Sequence, residues 1–156
     1  MGGKGYFLVV FLLFLVLFSS YQRREVTPYH QYYRWYTEEI ALPIDQALKD
    51  SNGTSTINQY RQTRKAFLHA YEIAREYPLP DKNLDKTHQH LIRYLKWRIK
   101  YVEGFIQYME TKSRDTKALV NNYNDEGNID YSLFISGFDA YANDQGQTFI
   151  TPNFLY

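Results

Sequence analysis

Four histidines, His30, His69, His88 and His90, are the side chains best suited to metal or acid–base chemistry, and their neighbours complete no site. A di-iron bundle needs Glu-x-x-His on two helices, and a zinc protease needs His-Glu-x-x-His. Neither pattern occurs. His88 and His90 stand two residues apart and diverge on a helix. His69 and Glu72 share a helical face, which is half of a metal site. The expectation is four satisfied or exposed histidines, with no metal and no cofactor. Glu38 and Glu39 are adjacent and point apart, so they form no acid–base pair. The chain has no cysteine, hence no thiol nucleophile and no disulfide. It also lacks phosphate-binding and dinucleotide-binding glycine loops and a Gly-x-Ser-x-Gly elbow. No catalytic residue is assigned, and an enzyme is not expected.

Asn122 to Leu133 partly follows a calcium loop, with Gly127 at position six and Asp130 at position nine. The pattern asks for Asp at position one and a bidentate Glu at position twelve. Asn122 and Leu133 stand there instead, so ordinary turn chemistry is the better reading. Two clusters suit binding rather than catalysis. Arg93, Lys96 and Lys100 align on one helical face beside Tyr94, Trp97 and Tyr101. Residues 29–36 (YHQYYRWY) hold the densest aromatic group. Tyr29, Tyr33 and Tyr36 are expected in the core, which leaves Tyr32 and Trp35 for an interface. The candidate interaction surface is therefore Tyr32, Trp35, Arg93, Lys96, Trp97 and Lys100. Trp, Tyr and Arg combine apolar area with a directed polar group, which is why they dominate binding hot spots. The plain alternative is a solvated basic face whose long side chains cover aromatic rings.

Helices must position these residues. Thr27-Pro28 is a helix start, followed by Tyr29, Tyr33, Tyr36, Ile40, Ile44 and Ala47 at helical spacing. Pro43 should kink or interrupt that helix near Ala41. A second helix begins near Thr54 or Thr56 and carries Ile57, Tyr60, Arg64, Phe67, Tyr71 and Ala74. Pro78-Leu79-Pro80 ends it. The third helix follows Asp81, with Leu84, His88, Leu91, Leu95, Arg98, Val102, Phe105 and Met109. Its pattern weakens at Lys112–Lys117 and resumes at Leu119, Val120 and Tyr123. Gly104 marks a close helix crossing. Residues 121–128 read as a loop, and a short fourth helix spans about Tyr131 to Tyr141. The tail, 143–156, is apolar enough to pack on the bundle. The fold class is all-α: an antiparallel bundle of three long helices plus one short C-terminal helix.

The N-terminus decides location. Tyr6, Phe7, Leu8, Val9, Val10, Phe11, Leu12, Leu13, Phe14, Leu15, Val16, Leu17 and Phe18 form an unbroken apolar run. A spanning helix wants about 20 apolar residues, with about 17 as the lower limit. Tyr6 to Tyr21 comes close, and the two tyrosines suit the interfaces. Cleavage after Ser20 would place Phe18 where a signal peptidase needs a small residue. Residues 1–21 thus read as a signal-anchor, with a cleaved signal peptide and a secreted domain as the alternative. Residues 22–156 read as one exported domain. Lysine plus arginine equals aspartate plus glutamate there, at 17 each once Lys4 is set aside, so no nucleic-acid partner is expected. The function expected is a non-enzymatic bundle, attached to the membrane through residues 6–21, that binds a partner protein or an anionic envelope component. The alternative is a sensing bundle with a tyrosine-lined pocket between helices.

Overall fold

The computed structural model describes residues 26–51 and 56–149. The apolar run at 6–18, the Asn52-Gly-Thr54 glycosylation triplet and residues 150–156 lie outside it. Five α-helices make up the bundle: α1 (Pro28–Trp35), α2 (Leu42–Ser51), α3 (Thr56–Glu76), α4 (Asp85–Thr111) and α5 (Arg114–Asp144). A π-helical stretch, Tyr36–Ala41, joins α1 to α2, and a 3-10 turn, Lys82–Leu84, precedes α4. Among the described residues there is no strand, and no helix is long and apolar enough to cross a membrane.

Thr27 caps α1, its hydroxyl accepting from the His30 N–H, with Pro28 at the first helical position. Pro43 does not break the chain. It has no N–H to donate, and its ring would crowd a carbonyl one turn back. The helix widens just ahead of it, so the Leu42 N–H bonds to Thr37, five residues back, and α2 continues. Tyr29, Tyr32, Trp35, Tyr36, Ile40, Ala41 and Ile44 are buried along this composite helix.

The composite first helix, α3, α4 and α5 run antiparallel in succession. Tyr60 stacks on Phe105, and Arg64 pairs with Glu103 between α3 and α4. Trp97 stacks on Tyr123, and His90 meets Asp130 between α4 and α5. Phe134 and Phe138 of α5 return to Tyr36 and Tyr29 of the first helix. Phe67, Leu84, Leu91, Leu95 and Val102 complete the core. Phe105, expected beside them, is only half-buried. Phe149, past the end of α5, is buried against Tyr33 and Phe138.

The fourth helix corrects the sequence reading. It is not short: α5 runs 31 residues without interruption. The third helix stops earlier than expected, at Thr111, where Lys112 turns left-handed with φ 55°. Ser113 then caps α5 by accepting from the Thr116 N–H. Residues 121–128, expected as a loop, are helical although six of the eight are Asn, Asp or Gly. Arg98 donates to Asn124 Oδ1 at 2.8 Å and to Asn128 Oδ1 at 2.9 Å. Gly127 lies where a Cβ would come within 3.4 Å of Trp97 Cβ. The glycine at 104 meets Val120 at 3.0 Å from an added Cβ, so the close crossing expected there exists.

Candidate functional site

The aromatic half of the expected surface is core. Tyr32 has no exposed area and Trp35 keeps 9%. Their rings lie 5.2 Å apart, and Trp35 stacks on Tyr77 at 3.9 Å. The reading of Tyr32 and Trp35 as an interface is therefore corrected. Helical periodicity put Tyr33 inside and Tyr32 outside; the first helix faces α4 and α5 together, and the wider buried arc takes Tyr32 and leaves Tyr33 half-buried.

Beneath these rings sits His88, also buried. Its Nε2 lies 2.8 Å from the Ala74 carbonyl, and a carbonyl only accepts, so Nε2 carries the proton. Nδ1 is then bare and accepts from the Tyr32 hydroxyl at 2.9 Å. Burial lowers the His88 pKa despite the Ala74 bond and the nearby Asp85 charge. Burial also holds the Tyr32 phenol well above its usual range. Both groups stay neutral, and their hydrogen bonds tie α1 and α3 to α4. This is a structural histidine with both nitrogens engaged.

The basic half lies on α4, where Arg93 and Lys96 are exposed and Trp97 and Lys100 are half-exposed. It has a polar anchor that the sequence did not reveal. Asp130, buried in the middle of α5, accepts from Arg93 Nε at 3.0 Å and from the Trp97 indole N–H at 3.2 Å. His90 Nδ1 lies 2.8 Å from the same carboxylate and 2.6 Å from Arg93 Nη2. A single ring nitrogen serves one of these neighbours at a time: protonated, it donates to Asp130; bare, it accepts from Arg93. Trp97 thus has a duty in the α4–α5 seam, which the expectation of a free aromatic overlooked. The residue stays half-exposed. Lys100 Nζ lies 4.6 Å from the Trp97 ring centroid and 5.6 Å from that of Tyr123. No sequence signal marked Asp130, which the reading of residues 122–133 as turn chemistry left among polar loop residues.

The calcium-loop geometry is absent. Residues 122–133 are helical, Asn124 and Asn128 are committed to Arg98, and Asp130 is committed to three donors. Among the described residues no group of three His, Asp or Glu side chains converges as a metal site. His69 and Glu72 are both exposed. Tyr32 packs ring against ring with Trp35, Tyr77, His88 and Phe138. A cleft of about 400 Å³, lined by Val26, Gln31, Arg34, Trp35, Glu38, Glu39 and Tyr77, lies beside the first helix and is open to solvent. Arg34 clamps Glu38 across its mouth, its Nε 3.0 and 3.1 Å from the two carboxylate oxygens.

The chain matches no family model, no curated protein and no solved structure.

Proposed function

We propose that this protein is a non-enzymatic interaction module, held at a membrane by residues 6–21, with its bundle exported. It binds a protein or an anionic envelope component through the outer face of α4. The observation that carries the binding face is the strip of Arg93, Lys96 and Lys100 along α4, with Lys100 over the half-exposed Trp97 ring. Asp130 locks Arg93 and Trp97 into position from below. Such a strip presents fixed charge and aromatic area together, so charge speeds encounter and the ring supplies contact energy. Location rests on the uncharged run from Tyr6 to Phe18.

Two experiments test this. A reporter enzyme active only outside the cytoplasm, fused after Tyr156, should be active; a well-expressed but silent fusion would refute export. A photo-crosslinking residue at Lys96 of the full chain, in its own membranes, should give a discrete adduct that the same residue at Glu72 on α3 does not. Equal labelling from both positions, or none from either, would remove α4 as the working face.

A further inference from the structure

Beside the basic strip, α5 carries a second row. Leu119, Ile129 and Leu133 are 53%, 55% and 46% exposed. Single exposed leucines are ordinary on a protein surface. These three are not scattered. At about 100° per residue they fall, with Asn122 and Glu126 between them, inside an arc of roughly 80° on one side of α5. Leu119 to Leu133 covers about 21 Å at a rise of ~1.5 Å per residue, or close to four turns. That arc borders the α4 side of the helix, because Asp130 and Tyr123, which face Trp97, lie next to it.

The two rows are in register. The Trp97–Tyr123 stack sets Lys100 level with the first half of the apolar row. The Arg93–Asp130 bond sets Arg93 level with Ile129. The cations therefore flank the middle of the leucine row rather than its ends. Lys96 makes no ion pair among the described residues. Arg93 keeps half of its side chain exposed.

We infer that the α4–α5 face binds an amphipathic helix of a partner protein, with acidic residues along one edge of its apolar stripe. This rests on the reading of α4 as the working face and adds the occupant. The row is apolar at Leu119 and again at Ile129 and Leu133, with Asn122 and Glu126 between, and its length of about four turns fits a helix laid alongside that anchors at both ends. The parallel row of three cations selects acidic side chains on the edge that faces α4. An anionic bilayer fits less well. Glu126 sits within the row and Asp125 is exposed beside it in the sequence, so a sheet of phosphates would meet repulsion at those points. A helix meets Glu126 with one basic residue and keeps its acids for Arg93, Lys96 and Lys100.

The test is a selection of helical peptides of about 20 residues displayed against the full chain in nanodiscs of uncharged lipid. Enriched peptides should carry a Leu, Ile or Phe stripe bordered by Glu or Asp. Their affinity should fall roughly tenfold or more for Lys96→Glu/Lys100→Glu and, separately, for Ile129→Ser/Leu133→Ser. Unchanged circular dichroism and melting would show that both variants are folded. Three results would overturn the inference: no enriched helix, enrichment of basic or non-amphipathic peptides, or binders indifferent to both variants. Capture of phosphatidylglycerol vesicles by the nanodisc-held full chain, lost in the same variants, would replace the helix with a bilayer. A Lys96 crosslink in native membranes alongside a failed selection would leave the binding face standing and remove only this occupant.

Discussion

Two buried polar residues do the most to define this molecule, and each makes a measurable difference. His88 is neutral in the fold because burial lowers its pKa. In the unfolded chain it titrates near 6.5. Between the two values the unfolded chain binds the proton more readily, so acid favours unfolding. The His88 contribution is complete above about pH 6.5 and is lost as pH falls toward the lower folded value, with a slope of up to ~1.4 kcal/mol per pH unit. Urea midpoints measured from pH 7.5 to 5 should show this decline, and His88→Gln should flatten it. Asp130 gathers donors from His90, Arg93 and Trp97. Asp130→Ala leaves the indole N–H buried without its acceptor and should cost about 2–3 kcal/mol in urea unfolding. Lys96→Ala, fully solvated, should change stability by less than ~0.5 kcal/mol. At this scale the sequence was partly legible. His88 was expected to be satisfied or exposed, and Ala74 and Tyr32 satisfy it. Tyr32, Trp35 and Asp130 did not, because one helix's periodicity cannot show which two neighbours it will face.

At the scale of elements, the tightest joint is α4 against α5. Gly104, Gly127 and Gly137 all lie on it, and a Cβ on Gly137 would come within 2.6 Å of Thr87 Oγ1. Gly137→Ala should therefore destabilise by about 1–3 kcal/mol even though alanine is the better helix former. Thr87→Ala in the same chain should recover most of that loss, and a double-mutant cycle of melting curves measures the coupling. Full additivity of the two changes would show that the helices are not in contact there. The start at Thr27-Pro28, the Asp81 cap ahead of the 3-10 turn and the Pro-x-Pro stop could be read from capping and proline chemistry. The course of α5 could not. Asn, Asp and Gly at 121–128 favour turns in isolation, since their side chains compete for the backbone. Here Arg98 takes up the side chains of Asn124 and Asn128, and Gly127 supplies the room that Trp97 needs. Only a partner helix makes that segment helical.

For the whole molecule, the all-helical class followed from apolar spacing at three and four residues, and a bundle of four long rods from the breaks between them once α5 is given its full length. The binding face and the membrane attachment are proposals that the packed core neither needs nor opposes. The packing of Phe149 on Tyr33 and Phe138 has a mechanical meaning. The Tyr29 hydroxyl donates to the Thr148 carbonyl at 3.4 Å, and Phe149 packs on Tyr33, so the start of the first helix and the residues after α5 share one end of the bundle. Tension applied between those points opens the bundle like a zipper, breaking Tyr29, then Tyr32, then Tyr36 away from α5 one contact at a time. Tension between Val26 and Ser113, at opposite ends, must instead slide the first helix past its neighbours with every contact resisting together. In an optical trap the first geometry should yield at clearly lower force than the second. A protein pulled from both ends by a membrane and a captured partner would release its first helix long before the α4–α5 pair that holds the partner comes apart.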